Sequence, residues 1–171
     1  MDSHSDSSGY DSNISTSTAR SRNSWTGFDS DVLEKVTTEI LETARQHVEK
    51  HTNRYLNLSN GHYNFDTDKS LHFIKCEIEN PEKRVNKPVV ICHGYMSGAV
   101  SFINTLINIT LYTGRTAYAV DWLGMAGSSR PKFTPTNTEE TVDWLLEPLV
   151  GFLSAQGLTK FDLIGHSTVC H

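Results

Sequence analysis

Apolar residues are nearly missing from the first two dozen positions, which are mostly Ser, Thr, Asp and Asn. Such a stretch cannot bury enough apolar surface to offset the entropy of ordering. Residues 1–24 are therefore expected to be a disordered Ser-rich tail, and 25–171 the ordered domain. Within the tail, Arg20-Ser-Arg-Asn-Ser24 reads as solvated chain rather than a kinase site. Order is expected to begin near Trp25. Asp31 and Glu34 have the spacing of a capping box, and Val32, Val36, Ile40, Ala44 and Val48 follow four residues apart. This predicts a helix over about 31–50 that lays the apolar stripe on the domain. Its other face, Lys35, Glu39, Glu42, Arg45 and Glu49, is mixed in sign and suits water better than an anionic membrane. Trp25 and Phe28, just ahead of it, read as a hydrophobic staple rather than a lipid-inserting pair. Segments 54–58 and 71–78 are rich in aliphatic and aromatic residues, and the turn signal Asn60-Gly61 between them predicts an antiparallel hairpin.

Beyond Asn80-Pro81 the pattern changes to short apolar runs at 89–92, 117–120 and 161–164, the form of strands buried on both faces. A helix is predicted between the first two, over 100–112, with Phe102, Ile103, Leu106, Ile107, Ile109 and Leu111 apolar. A second starts near Asn137, with Glu140 in the reciprocal capping position, and presents Val142, Leu145, Leu146, Leu149, Val150 and Leu153 on one side. Pro148 predicts a kink in it near 144–148, and Gly157 its end. Alternating strands and helices give an α/β fold: a hairpin plus a parallel βαβαβ unit, preceded by one helix and the tail.

Composition narrows the function classes. The 171 residues carry 15 Lys+Arg against 20 Asp+Glu, a net charge of −5, with no basic stripe of the kind nucleic acid requires. No apolar run reaches the roughly 20 residues of a membrane-spanning helix, and the polar, acidic start is unlike a signal peptide. A cytoplasmic protein without a transmembrane segment is expected. Cys76, Cys92 and Cys170 form no CxxC pair and read as buried, reduced thiols. Gly94 and Gly98 do not make a dinucleotide fingerprint, and no phosphate-binding loop is present, so no cofactor and no metal is expected.

Chemistry in a parallel sheet collects at the carboxyl ends of its strands. Three segments lie there: His93-Gly94-Tyr95-Met96, the run from Asp121 to Pro131, and Gly165-His166-Ser167. A Ser in Gly-x-Ser directly after a buried strand begins a nucleophile elbow, a tight turn that holds its hydroxyl beside the first amides of a helix. Ser167 is the candidate nucleophile, and the backbone amides of Tyr95 and Thr168 are the candidate oxyanion donors. His93, Gly94, Asp121, Gly165 and His166 are supporting residues, with His93 and Asp121 read as loop-shaping rather than as base or acid.

Three motifs together, Val90-Ile-Cys-His93-Gly94-Tyr95, Tyr118-Ala-Val-Asp121-x-x-Gly124-x-x-Gly127-x-Ser129-Arg130-Pro131 and Gly157-Leu-x-Lys160-x-x-Leu163-Ile-Gly165-His166-Ser167, resemble an α/β-hydrolase. More narrowly, Ser128-Ser129-Arg130-Pro131 followed by Thr138-Glu-Glu-Thr141 and a Trp-containing helix is similar to the comparative gene identification-58-like proteins. The resemblance runs over about 25–167. It implies serine ester chemistry on glycerolipids or lysophospholipids, including lysophosphatidate acyl transfer, peripherally at lipid droplets or membranes. It also includes members that act on a lipase partner without being hydrolases, so a non-catalytic lipid-associated or lipase-binding module is the alternative.

The chain departs from the pattern after Ser167. The family reads Gly-x-Ser-x-Gly with triad acid and His following in that order, whereas this sequence continues Thr168-Val169-Cys170-His171. Val169 stands where the second Gly belongs, and His171 is too near Ser167 to fold back as base. No His is followed by Asp five positions on, so the acyltransferase motif has no direct support in these residues. The expectation is a partial, inactive domain arising from a frameshift, a retained intron or an incomplete gene model. Its strand at 161–164 would form an uncovered, aggregation-prone edge.

Overall fold

The computed structural model describes residues 29–79 and 85–167, apart from the side chains of Val85 and Asn86. The expected tail, the Trp25–Phe28 staple, Thr168, Cys170 and His171 lie outside the described residues. Helix α1 spans Ser30–Thr52 and leads into strands β1, Leu56–Asp66, and β2, Lys69–Ile78. Strand β3, Val85–Cys92, is followed by a 3₁₀ turn, Ala99–Phe102, and α2, Ile103–Thr113. Then come β4, Arg115–Val120, α3, Thr138–Ala155, and β5, Asp162–Gly165. The sheet order is β1-β2-β4-β3-β5. β1 pairs antiparallel with β2 and β2 with β4, while β3 lies parallel to both β4 and β5.

Alternate residues of the central strands feed two cores. Val89, Ile91, Ala117, Ala119, Ile74 and Cys76 pack with Leu41 and Val48 of α1 and Leu106 of α2. Val90, Cys92, Tyr118 and Val120 pack on the other face with Leu149 and Phe152 of α3. The β3–α2–β4 crossover thus covers one face and the β4–α3–β5 crossover the other. The connections from β3 to β4 and from β4 to β5 run in opposite directions across the sheet, so the carboxyl end of β3 lies at a topological switch point, where binding sites of open α/β sheets collect.

Five sequence expectations need correction. Asp29, not Asp31, caps α1, its side chain accepting from the Asp31 amide. The inward face of α1 is Thr37, Leu41 and Val48, whereas Val32, Val36 and Ile40 are exposed. Residues four apart advance about 40° around a helix at each step, so a 32-36-40-44-48 ladder winds off any single face; 37, 41, 44 and 48 stay on one. In α3, likewise, Val142, Leu146 and Val150 face out, while Pro148, Leu149 and Phe152 are buried.

The hairpin turn is Thr67-Asp68, between β1 and β2, with Asp66 accepting from the Thr67 amide and from Lys69. Gly61 is instead an interior strand residue directly opposite Phe73, and a Cβ there would come within 2.9 Å of that ring. Strand 161–164 is not buried on both faces. β5 is the outermost strand, and Leu163, 54% exposed, and Ile164 stand uncovered on its two sides. The edge foreseen there is present. Asp162 is held to Lys87 and Arg115 across the sheet, and these two cations lower its carboxyl pKa.

The capping of α3 is as the sequence predicts. Asn137 Oδ1 accepts from the Glu140 amide, and the Glu140 carboxylate reaches back to the Thr136 amide. Gly157 follows the helix with φ +67°.

Candidate active site

β5 enters the site region through its pairing with β3, which places Gly165 beside Cys92 and lets the His166 amide donate to the Cys92 carbonyl at 3.1 Å. The chain then turns sharply. Ser167 has φ +61°, in the left-handed region that side chains with a Cβ rarely adopt, and it is exposed. Its Cβ lies against Gly94: a Cβ on Gly94 would be 2.6 Å from it and 2.9 Å from the His166 carbonyl. Gly94 is therefore required for close approach of the two loops. This contact brings the Tyr95 backbone next to Ser167. The Tyr95 side chain is 72% exposed and Met96, at φ +57°, is 88% exposed. His166 is exposed and stacks edge-on with Phe102 at 5.7 Å.

Beneath this surface lies a fully hydrogen-bonded polar layer. His93 is buried; the Trp122 amide donates to its Nε2 at 3.3 Å, so Nδ1 carries the proton and donates to the Gly94 carbonyl at 2.7 Å. Trp122 Nε1 donates in turn to the His93 carbonyl at 2.8 Å. Asp121 Oδ1 stands 3.5 Å from His93 Nε2, a nitrogen with no proton to offer in this tautomer, and that contact is proximity rather than a hydrogen bond.

Asp121 is a buried hub. One carboxylate oxygen accepts from the Ala99 amide; the other accepts from the Gly127 amide at 2.9 Å and from His72 Nδ1 at 2.7 Å. Its carbonyl accepts from Ser128 Oγ at 2.7 Å, and that oxygen accepts from the His72 amide. The hub thus fixes the start of the 3₁₀ turn, the 121–131 loop and β2 together. Gly98 serves the same closeness, because a Cβ there would meet Ala126 at 2.8 Å.

Of the sequence candidates, Gly94, Tyr95, Gly165, His166 and Ser167 meet at one end of the sheet, and His93 and Asp121 form the layer below. Thr168 lies outside the described residues. Sequence reasoning missed His72, buried in β2 and bound to Asp121, because one His among eight in a strand carries no spacing signal. Its cross-strand neighbour His62 lies 5.2 Å away, ring centre to ring centre. Cys76 and Cys92 are buried free thiols whose pKa values burial pushes up to about 11 and about 12, which makes them inert. Among the described residues no cluster of three or more His, Cys, Asp or Glu could hold a metal, and no helix is long and apolar enough to cross a membrane.

Burial, then repulsion from His72, lowers the His62 pKa from 6.5, against the opposing pull of Glu34 and Asp121. The unfolded chain therefore binds the proton more readily, so the stability contribution is full above about pH 6.5 and is lost as pH falls below it. Urea unfolding across pH 7 to 5 is expected to show this loss, and His62→Asn to flatten it.

Residues 87–168 match the family model of the alpha/beta hydrolase fold. The described sheet and its crossovers have, in part, the α/β-hydrolase fold. Among solved members, the chain resembles 2-hydroxy-6-oxo-6-phenylhexa-2,4-dienoate hydrolase from Rhodococcus sp. strain RHA1, with TM-score 0.53 and 21% identity, over 67% of this chain and 39% of that one. A predicted hydrolase from Thermoplasma acidophilum gives TM-score 0.51 and 16% identity, over 67% and 53%. Both show the fold alone. In sequence, this α/β-hydrolase-fold chain is 39% identical to a 1-acylglycerol-3-phosphate O-acyltransferase from Arabidopsis thaliana, over 46% of the chain and 18% of the relative. It is 36% identical to 1-acylglycerol-3-phosphate O-acyltransferase ABHD5 of Homo sapiens, over 47% and 22%. It is 32% identical to a (lyso)-N-acylphosphatidylethanolamine lipase of Bos taurus, over 52% and 25%. The matched stretches span about a fifth of the length of these curated relatives.

Proposed function

We propose that this protein is a serine-type ester hydrolase or acyltransferase acting on glycerolipid or lysophospholipid esters, with Ser167 as nucleophile and the Tyr95 and Thr168 amides as oxyanion donors. The observation that carries this reading is Ser167 at φ +61° directly after β5, pressed against Gly94. Among the described residues the Tyr95 amide and the Ser167 hydroxyl have no hydrogen-bond partner, the condition of groups kept for a substrate.

In this mechanism the Ser167 hydroxyl loses its proton to a His base as its oxygen attacks the ester carbonyl. The two amides stabilise the resulting oxyanion, and the alcohol leaves with that proton. Water or a lysophosphatidate hydroxyl then takes the acyl group. The relatives' names support lipid esters as substrates, and association at a lipid surface is part of the proposal. In the α/β-hydrolase pattern the base and the acid follow the nucleophilic Ser in chain order. A second reading, a non-catalytic lipid-associated or lipase-binding module, draws on the exposed apolar tip of Tyr95 and Met96 beside Ser167.

Treating the protein as its own cells make it with a fluorophosphonate, then mapping peptides, separates the two. Modification at Ser167 that disappears in Ser167→Ala is expected. A folded protein left unmodified there would favour the binding module.

A further inference from the structure

A cavity of about 540 Å³ lies between α1, the β1–β2 hairpin and the 126–131 loop, and none of its lining residues belongs to the Ser167 elbow. Its rim carries the exposed side chains of Glu34, Asp68 and His62. Its inner wall carries two polar side chains that are nearly inaccessible: Thr37, 2% exposed, and His72, 5% exposed. Thr37 occupies the inward face of α1, where packing alone would select an aliphatic residue.

Neither the Thr37 hydroxyl nor His72 Nε2 makes a hydrogen bond among the described residues, yet no fully buried side-chain nitrogen or oxygen there lacks one. Both atoms therefore open onto the cavity they line. The chemistry of His72 is fixed from behind. The carboxylate of Asp121 accepts from its Nδ1, so in the neutral ring the proton sits on Nδ1 and Nε2 presents a lone pair. That nitrogen requires a donor. Arg130, also on the lining, donates to the Ser128 and Ala126 carbonyls of its own loop. Around the cavity the acids Glu34 and Asp68 make the rim favourable to a cation.

We propose that this cavity is a second binding site, separate from the Ser167 elbow, for a small amino alcohol. The ligand hydroxyl donates to His72 Nε2 and accepts from Thr37, and the ammonium group faces Glu34 and Asp68. The volume falls in the range of small-molecule sites and leaves room for water beside the ligand. A phosphatidylethanolamine headgroup shares the ammonium but not the hydroxyl, because that oxygen is esterified to phosphate, so the ligand is the free amino alcohol.

The test is saturation-transfer NMR on the full chain with ethanolamine, then with phosphatidylethanolamine vesicles against phosphatidylglycerol vesicles. Saturable transfer to ethanolamine is expected, weakened about tenfold in Thr37→Val, which keeps the shape of the buried residue, and reduced in Glu34→Gln, an exposed position. Binding of free ethanolamine without preference for phosphatidylethanolamine vesicles is expected; preferential binding of those vesicles would overturn the role given to the ligand hydroxyl. Ser167→Ala is expected to leave binding unchanged, which separates this site from the proposed esterase. Binding of inorganic phosphate in place of ethanolamine, absence of saturable transfer, or full affinity in Thr37→Val would each overturn the proposal.

Discussion

Asp121→Ala is expected to destabilise the domain by about 4 kcal/mol or more, a large share of the stability of a domain this size. The size follows from what the carboxylate holds. Its removal strands the Ala99 and Gly127 amides and the His72 Nδ1–H, each of which donates to it in a buried or part-buried setting. A buried donor left unmade costs roughly 1–3 kcal/mol. The three sit on separate segments, the 3₁₀ turn, the 121–131 loop and β2, so no single rearrangement recovers them. Urea unfolding of the variant beside the parent measures the loss. A difference below about 1 kcal/mol would mean that water replaces the carboxylate and that the hub is not structural.

Gly94→Ala is expected to open the elbow. The added methyl would sit 2.6 Å from Ser167 Cβ and 2.9 Å from the His166 carbonyl, and neither of those atoms is the end of a flexible side chain. Overpacking of this kind costs typically 1–3 kcal/mol. The loops relieve it by separating, which moves the Tyr95 amide away from Ser167. Loss of fluorophosphonate labelling at Ser167 together with a modest fall in stability is the expected pair of results. Gly157→Ala provides the contrast: nothing lies within 4 Å of its Cβ position, but φ is +67°. It should cost about 1 kcal/mol through backbone strain and leave labelling intact. Equal labelling in Gly94→Ala and the parent would separate the Ser167 geometry from the reactivity assigned to it.

Much of the chain's plan was legible because local rules and tertiary context agreed. The Asn137–Glu140 cap, the 89–92 and 117–120 strands and the Gly157 stop depend on neighbours in sequence, and the structure places them as expected. Faces were harder to read. Val142, Leu146 and Val150 look as apolar as Leu149 and Phe152, and only packing of α3 on Tyr118 and Phe73 selects which set turns inward. Asn60-Gly61 has the composition of a turn, but the ring of Phe73, twelve residues on, claims the space over Gly61. That contact keeps β1 running to Asp66.

The sequence by itself determined the order of strands and helices, the α/β class and the Gly-x-Ser turn after the last strand, since each is written in periodicity or in residues close along the chain. Only the tertiary structure decided that Gly94 must touch Ser167, that His72 shares the carboxylate of Asp121, and that Thr37 faces a cavity. These pairs lie tens of residues apart, and their partnership arises from strand order and helix rotation, which are settled when two cores compete to bury the same sheet.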